Sequence, residues 1–256
     1  MNQSTMNLFS LEGKTILITG CASGIGKEIA IGVAGAGANV VCLDIADLTA
    51  TAEEIKKSGN RSMFLHVDVS DSNAIDKAWD QIIEEMGSVD VLFNNAGIQY
   101  RAPIDEFPIE KFDAIMNVNF KSAFMLSKKV ASYFLQQKIK GKIINTTSLY
   151  STFGGFNVTA YTSAKHAMLG LTRALSNELA PHGICVNSIT PGYITTAVTK
   201  ALWSDESKSS EILKRIPIGR WGNPEDLVGA AIFLASHASD YVTGVAIPID
   251  GGFTAR

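Results

Sequence analysis

Seven short runs rich in isoleucine and valine alternate with helical stretches along the chain, and this alternation limits the possible folds most strongly. The predicted strands are Thr15–Thr19, Asn39–Asp44, Ser62–Val67, Val89–Phe93, Lys142–Thr147, Ile184–Thr190 and Val245–Ile249. The predicted helices between them are Ile25–Ala36, Leu48–Lys57, Asn73–Met86, Ile109–Gln137, Val158–Ala180 and Glu225–Ala235. Because apolar residues occupy both strand faces, we predict an α/β fold whose doubly wound parallel sheet of about seven strands is covered by helices on both sides.

The 256 residues, 46% of them hydrophobic and 18% charged, are enough for one domain with a large core. No linker, repeat or low-complexity segment divides the sequence, so we predict one domain over residues 11–256 after a tail of residues 1–10. The one long departure from the alternation is Pro191–Asn223. A segment of this length in a compact domain predicts a partly helical substrate lid, at about residues 193–223.

Charge and residue usage exclude several classes of function. A formal net charge of -3 gives no basis for binding nucleic acid or an anionic membrane, and no apolar run reaches the roughly 18 residues of a membrane helix. Three scattered cysteines indicate a reduced, cytoplasmic protein. The four histidines have no metal-ligand spacing, so no metal site is predicted. Neither nucleic acid nor a membrane is therefore predicted as a partner.

A glycine-rich turn, Thr19-Gly20-Cys21-Ala22-Ser23-Gly24-Ile25-Gly26, follows the first predicted strand and opens the first predicted helix. Glycines permit close backbone approach, and a helix N-terminus presents N–H groups to phosphate. This setting predicts a dinucleotide site, although a glycine-rich turn can also be purely structural.

Asp44 ends the second predicted strand, eighteen residues after Gly26. A carboxylate there accepts hydrogen bonds from the adenosine ribose of NAD and repels the 2′-phosphate of NADP. No arginine or lysine lies in the glycine turn or just after Asp44, so NAD is the predicted cofactor. The alternative is that Asp44 only caps the turn before Asp47.

Tyr161 and Lys165 lie four residues apart in a predicted helix, so their side chains share one face. An ammonium group favours the phenolate and should lower the phenol pKa from about 10 towards the range useful for proton transfer. Ser148 follows a buried strand, where its hydroxyl can hold a substrate oxygen. Alone, this short and common pattern more often indicates only a packed tyrosine beside an exposed lysine.

Several motifs occur together in order from about Leu11 to Gly252: Thr19-Gly20-x-x-x-Gly24-Ile25-Gly26, Asp68-Val69, Asn94-Asn95-Ala96-Gly97, Asn119, Ser148, Tyr161-x-x-x-Lys165 and Pro191-Gly192-x-x-x-Thr196. The set resembles the short-chain dehydrogenase/reductase family, which has a Rossmann-type fold. The resemblance implies that Tyr161 is the general acid or base, Lys165 its partner and a ligand of the nicotinamide ribose, and Ser148 the anchor of the substrate oxygen. It implies that Asn119 is a fourth catalytic residue, which bends its helix and holds a water molecule of the proton relay.

The same resemblance implies which residues bind the cofactor: Gly20, Ser23, Gly24, Ile25, Gly26, Asp44, Asp68, Val69, Asn95, Ala96, Gly97, Tyr161, Lys165, Pro191, Gly192, Ile194 and Thr196. A closer likeness, in Ile216–Gly222 and Asp250–Arg256, is to the 2-dehydro-3-deoxy-gluconate (2-deoxy-gluconate) 3-dehydrogenase and gluconate 5-dehydrogenase branch. Relatives form tetramers, so a homotetramer is expected.

The substrate pocket should be lined by the loops after the fourth, fifth and sixth strands. They contain Gln99, Tyr100, Arg101, Leu149, Tyr150, Phe153, Asn157, Tyr193, Leu202 and Trp203. From these and Ser148 we predict substrate contacts by Arg101, Ser148, Tyr150, Asn157 and Trp203. Arg101 suits a substrate carboxylate, although it can equally be a solvated loop charge. Phe153, Phe156 and Trp203 could instead form an apolar wall.

We therefore predict an NAD-dependent oxidoreductase that interconverts a secondary alcohol and a ketone on a sugar acid or related polyol. A 3-oxoacyl or steroid reductase with the same machinery is the alternative within the enzymes. A non-catalytic dinucleotide-sensing scaffold is the alternative from another class.

Overall fold

A single parallel sheet organises the computed structural model, which describes residues 6–255. Within those residues the sheet has seven strands in the order β3-β2-β1-β4-β5-β6-β7. The strands are β1 (Thr15–Thr19), β2 (Asn39–Asp44), β3 (Ser62–His66), β4 (Val91–Asn94), β5 (Lys142–Thr146), β6 (Cys185–Pro191) and β7 (Ala246–Ile249). The predicted fold class is confirmed, and every predicted strand forms with its ends within two residues of the predicted ones.

Nine α-helices, again within residues 6–255, cover the sheet and form part of the predicted lid. They are α1 (Gly24–Gly35), α2 (Thr49–Lys56), α3 (Ser72–Met86), α4 (Ile109–Met116), α5 (Ser122–Gln137), α6 (Thr159–Leu179), α7 (Lys200–Trp203), α8 (Glu206–Leu213) and α9 (Val228–Ala235).

Two of the predicted helices differ in detail from the structure. The stretch predicted as one helix over Ile109–Gln137 contains a π-helical turn, Asn117–Lys121, between α4 and α5. The helix predicted over Glu225–Ala235 begins as a 3-10 helix, Pro224–Leu227, before α9. Both differences are local changes of hydrogen-bonding pattern, which apolar periodicity does not reveal.

The core consists of two layers, one on each face of the sheet. Successive strand residues point to opposite faces, so Ile16 and Ile18 of β1 pack in the layer under α1 and α9, while Leu17 packs in the layer under α3 and α5. All five residues of β1 are buried. The near-continuous apolar strands are therefore explained by burial on both sides.

The order of the strands reverses between β1 and β4. The chain leaving β1 turns towards β2, whereas the chain leaving β4 turns towards β5, and a crevice opens between them at the carboxyl ends of the strands. Such a switch point is where ligands bind in open α/β sheets. The topology therefore predicts a ligand-binding site at the end of the glycine turn.

At the N-terminus, Asn7–Phe9 forms a short 3-10 helix, and the ring of Phe9 lies 6.4 Å from that of Phe233. The first five residues of the predicted tail lie outside the described residues. The predicted lid contains α7 and α8, and a bridge between Ile194 and Gly222 brings its two ends together. No helix in the described part of the chain is both long enough and apolar enough to span a membrane.

Candidate active site

A cavity of about 390 Å³ opens at the switch point. Every residue that was predicted to bind cofactor lines it, from Gly20 on the turn after β1 to Thr196 beyond β6. The predicted catalytic residues Ser148, Tyr161 and Lys165 line the same cavity. The fold therefore brings a glycine turn, a Ser–Tyr–Lys group and the lid together in one space.

The glycine turn has the close geometry that a phosphate cradle requires. Gly20 has a φ of 75°, and a Cβ atom there would lie 2.9 Å from the Cα of Ala96. A Cβ atom on Gly26 would overlap the carbonyl oxygen of Gly20. Ser23 precedes α1 without a side-chain cap, so the first N–H groups of the helix have no capping acceptor. This arrangement fits the pyrophosphate of a dinucleotide.

Hydrogen bonds from the end of β4 hold the glycine turn in place. The hydroxyl oxygen of Thr19 accepts from the backbone N–H groups of Asn95 and Ala96, each at 3.0 Å. The side-chain amide of Asn95 donates to the carbonyl oxygens of Thr19 and Gly20, each at 3.1 Å. The turn is therefore fixed before any ligand binds, which lowers the entropic cost of binding.

Two carboxylates lie at the end of the cavity away from Tyr161. Asp44 accepts from the backbone N–H groups of Ala22 at 2.8 Å and Ala46 at 2.9 Å, so it also caps the following turn, as the alternative interpretation proposed. Asp68 accepts from the backbone N–H and hydroxyl of Ser70. Among the described residues that line the cavity, the basic ones are Arg101 and Lys165, and neither is adjacent in sequence to these carboxylates.

Lys165 is buried on α6 one turn after Tyr161. Its Nζ donates to the carbonyl oxygen of Thr146 at 2.6 Å and lies 5.6 Å from the centre of the Tyr161 ring. Burial lowers the pKa of Lys165 to about 8, because the charged form loses its hydration. An ammonium group has three N–H donors, and the Thr146 carbonyl takes one, so two remain for a ligand in the cavity.

The pKa of Tyr161 differs from the expectation. Burial raises the pKa of its phenol above 10, while the hydrogen bond with Ser148 and the positive charge of Arg101 act in the opposite direction. Lys165 was expected to lower this pKa, but its ammonium group is directed to the Thr146 carbonyl. In this structure the group that most favours the phenolate is the Ser148 hydroxyl.

Asn119 is fully buried in the π turn and does not line the cavity. Its side chain accepts from the backbone N–H of Ile98 at 2.8 Å and donates to the Ile98 carbonyl at 2.9 Å. The extra residue of a π turn changes the direction of the side chains that follow, and such turns are frequent at functional sites. Asn119 thus fixes the segment after β4 that carries Gly97 into the cavity.

Comparison with known proteins identifies the family. A short-chain dehydrogenase family model described as "Enoyl-(Acyl carrier protein) reductase" matches residues 20–254. The chain belongs to the short-chain dehydrogenase/reductase family. It is thus an oxidoreductase by family, and the resemblance inferred from the motifs is confirmed.

Several relatives of this short-chain dehydrogenase are named for sugar acids. It is 47% identical over 251 residues to 2-dehydro-3-deoxy-D-gluconate 5-dehydrogenase of Dickeya dadantii (98% of this chain and 99% of the relative). It is 42% identical to 5-keto-D-gluconate 5-reductase of Escherichia coli K12 (96% and 97%). The crystal structure of a gluconate 5-dehydrogenase from Burkholderia cenocepacia, in complex with NADP and tartrate, superposes with a TM-score of 0.94 at 37% identity (98% and 99%).

Of the predicted substrate residues in this dehydrogenase, Arg101, Ser148 and Tyr150 line the cavity, whereas Asn157 and Trp203 do not. Asn157 has a φ of 58°, and its carbonyl accepts from the backbone N–H of Ala102. It therefore holds the loop that carries Arg101. The indole of Trp203 donates to the carbonyl of Thr196 at 3.1 Å and so fixes α7 to the first residues of the lid.

Tyr193 lines the cavity but was given no specific role from the sequence. Its hydroxyl lies 3.2 Å from that of Tyr150. The available signal was its position directly after Pro191-Gly192, at the end of a buried strand. The carbonyl of Thr146, which accepts from Lys165, was also missed, because backbone acceptors leave no mark in a sequence.

The geometry of the cavity suits proton transfer beside a bound dinucleotide. Ser148 and Tyr161 both line it, and the Ser148 hydroxyl acts to lower the pKa of the Tyr161 phenol. Within residues 6–255, no group of three or more histidine, cysteine, aspartate or glutamate side chains is arranged to hold a metal ion. The polar groups near Tyr161 are thus hydroxyls, one ammonium and one guanidinium.

Proposed function

We propose that this protein is an NAD-dependent oxidoreductase that interconverts a secondary alcohol and a ketone on a sugar acid or a related polyol. The observation that carries the proposal is that the Arg101 guanidinium shares one cavity with Ser148 and Tyr161 and acts electrostatically on the Tyr161 phenol. A cation near the proton-transfer group gives an anionic substrate a fixed orientation. The names of the relatives, which refer to gluconate derivatives, support the same class of substrate.

The residues of the chain divide the chemistry between them. When bound, a nicotinamide dinucleotide supplies the hydride acceptor or donor. Ser148 holds the substrate oxygen by a hydrogen bond, and Tyr161 gives or takes the proton at that oxygen. Lys165 binds ribose hydroxyls with its two remaining N–H donors. Asn119 holds the segment after β4 that carries Gly97 in its position in the cavity. The lid excludes water from the reacting groups.

NAD is the proposed cofactor, although solved relatives include structures in complex with NADP. The charge distribution of the cavity supports NAD. Asp44 and Asp68 give the adenosine end two carboxylates, whereas Arg101 and Lys165, the basic lining residues of the described chain, belong to the loop after β4 and to α6. A 2′-phosphate beside Asp44 would therefore meet repulsion without a compensating cation.

Arg101→Ala tests the substrate assignment. An arginine–carboxylate hydrogen bond contributes about 1.5–3 kcal/mol, so kcat/KM for D-gluconate should fall roughly ten- to a hundredfold, mainly through KM. Activity on D-glucitol, in which a neutral hydroxymethyl group replaces the carboxylate, should change little. The matched control is Lys111→Ala, since Lys111 lies over the ring of Tyr100 and does not line the cavity. Equal losses on both substrates would assign Arg101 to loop stability instead.

Neither alternative is favoured by the residues that were suggested for it. Phe153, Phe156 and Trp203, suggested as an apolar wall for a steroid or acyl substrate, do not line the cavity, and the Phe156 side chain is 86% exposed. A sensing scaffold does not require Ser148, Tyr161 and Lys165 in one cavity. Oxidation of D-gluconate with NAD, followed by absorbance, separates an enzyme from a scaffold directly.

We also propose that the protein is a cytoplasmic homotetramer. The three cysteines are free and buried, which suits a reducing compartment. The assembly is proposed from the family resemblance, and exposed apolar side chains such as Phe112, Phe124 and Val245 would be covered in it. A monomer in light scattering at micromolar concentration would contradict the proposal.

A further inference from the structure

Two tyrosine hydroxyls meet in the cavity beside the predicted catalytic group. Tyr150 lies on the short turn after β5, two residues beyond Ser148, and Tyr193 lies two residues beyond Pro191 of β6. Their hydroxyl oxygens are 3.2 Å apart, and both residues line the cavity. The edge-on contact between the rings of Tyr150 and Tyr161, with centroids 6.4 Å apart, places the pair next to the proton-transfer site.

The hydroxyl pair has unused hydrogen-bonding capacity. Each phenol has one O–H donor and can also accept, and the bond between them uses one donor and one acceptor. Within residues 6–255 neither hydroxyl has another hydrogen-bond partner. Burial and the Tyr150 hydroxyl raise the pKa of Tyr193, so the Tyr193 phenol stays protonated at neutral pH. One O–H donor and several lone pairs therefore remain for a ligand that can both donate and accept.

Aromatic packing from distant segments holds Tyr193 in place. Its ring makes edge contacts with Trp221, at a centroid distance of 5.5 Å, and with Phe253, at 5.3 Å. The guanidinium of Arg215 lies over the Phe253 ring, 4.6 Å from its centre. Trp221 and Phe253 belong to the Ile216–Gly222 and Asp250–Arg256 segments, which resemble the sugar-acid branch. The two segments therefore contribute to the cavity by fixing the position of the Tyr193 phenol.

We propose that the Tyr150–Tyr193 hydroxyl pair determines substrate specificity by binding a hydroxyl group close to the reacting carbon of a polyhydroxylated substrate. An aliphatic hydroxyl donates one hydrogen bond and accepts others, which matches what the pair offers. An acyl chain at the same place would leave both phenols partly unsatisfied in a half-buried site, and sites built to hydrogen-bond a hydroxyl reject analogues that lack it. The inference rests on the proposed function, since it specifies how the enzyme recognises the polyhydroxylated substrate. Trp221 and Phe253 are positioning residues.

The test compares two ketones that share a carboxylate and a carbonyl at C5. 5-keto-D-gluconate has hydroxyls on its other carbons, whereas 5-oxohexanoate has none. Tyr193→Phe, which keeps the ring and its packing, should lower kcat/KM with NADH for 5-keto-D-gluconate about tenfold and leave 5-oxohexanoate within twofold. Tyr150→Phe should do the same, and the double variant should lose less than the product of the single losses, because each hydroxyl orients the other.

Tyr133→Phe is the matched control, since Tyr133 packs against Trp79 and Phe134 and does not line the cavity. This variant should leave kcat/KM unchanged for both ketones. If reduction of 5-oxohexanoate is too slow to follow, its inhibition constant against 5-keto-D-gluconate is the second readout and should be unchanged in Tyr193→Phe. Equal losses on both ketones, or no loss on either, would overturn the inference while the proposed function stands.

The positioning role has its own readout. Phe253→Leu should reduce the preference for 5-keto-D-gluconate over 5-oxohexanoate several-fold in the parent protein, whereas in the Tyr193→Phe background it should affect both ketones equally. A purely structural role would lower both activities equally in both backgrounds. If the parent protein reduced neither ketone and oxidised no sugar acid, the proposed function would fail and this inference with it.

Discussion

The two ends of the cavity are held together in different ways. At the nucleotide end, short turns after β1 and β4 are joined by hydrogen bonds between backbone groups and the side chains of Thr19 and Asn95. At the substrate end, the rings of Trp221 and Phe253, from two distant segments, pack against Tyr193. The first arrangement depends on backbone geometry and the second on side-chain packing.

This difference determines what each end tolerates. A turn whose backbone atoms touch cannot accept an added methyl group without movement. The lid instead contains two short helices, α7 and α8, neither of which has a buried residue. Such segments have few apolar contacts and open at low cost in free energy. The nucleotide end therefore suits an unchanging ligand, while the substrate end can vary without disturbing the sheet.

Tyr161 lies where the two ends meet, and its hydroxyl should separate binding from chemistry. Tyr161→Phe should lower kcat about a hundredfold to ten-thousandfold, the usual contribution of a general acid or base. The dissociation constant of NAD, measured by calorimetry, should stay within about threefold, because the ring and the glycine turn are unchanged. A variant that kept kcat within threefold of the parent would remove Tyr161 from the proposed mechanism.

Much of the nucleotide end could be predicted from the sequence because its features are local. The spacing of Gly20, Gly24 and Gly26 and the place of Asp44 at a strand end belong to single strand–turn–helix units. Their backbone requirements leave a mark in a short stretch of sequence.

The substrate end could be predicted only in part. Arg101 and Tyr150 line the cavity as predicted, but Asn157 and Trp203, which occupy equally plausible loops, point to other partners. The hydroxyl pair joins residues 43 positions apart, and the ring that supports Tyr193 lies near the C-terminus. Such contacts follow from tertiary packing, for which neither periodicity nor spacing gives a signal.

Lys165 should make stability depend on pH in a defined direction. Burial lowers its pKa from 10.5 to about 8, so the cost of burying the charge is fully present below pH 8. Between pH 8 and 10.5 the unfolded chain binds more protons, and the free energy of unfolding should therefore rise with pH. Over this interval the free energy of unfolding should rise by about 3 kcal/mol, at about 1.4 kcal/mol per pKa unit.

Urea unfolding of the parent and of Lys165→Met between pH 7.5 and 10 would measure this effect. The rise attributed to Lys165 should be absent from the variant. Performing both measurements in the Tyr161→Phe background removes the titration of the neighbouring phenol. Equal pH dependence in the two proteins would show that the ammonium group is not desolvated as described.

Gly26→Ala tests the rigidity of the nucleotide end. The new methyl group would overlap the Gly20 carbonyl and approach the side-chain amide of Asn95. Overpacking of this kind costs about 1–3 kcal/mol, so we expect that loss in urea unfolding and a roughly ten- to hundredfold weaker affinity for NAD. Gly35→Ala on the same helix and Gly154→Ala on the loop after β5 are controls, since nothing lies within 4 Å of either added Cβ atom. If Gly26→Ala were as mild as Gly154→Ala, the contrast between the two ends would be wrong.

Asp44→Ala should have the smallest effect, because it changes the choice between cofactors more than the binding of either. Loss of the carboxylate removes hydrogen bonds to the ribose of NAD and the repulsion of a 2′-phosphate. The ratio of kcat/KM for NAD to that for NADP should fall by about tenfold, or about 1.4 kcal/mol. Asp44 also accepts from the N–H groups of Ala22 and Ala46, so Asp44→Asn, which keeps an acceptor, separates lost charge from lost capping. Asp68→Ala removes the other carboxylate at this end and should weaken the binding of NAD and NADP equally. A parent protein that preferred NADP, or an Asp44→Ala variant with an unchanged ratio, would show that Asp44 only caps its turn.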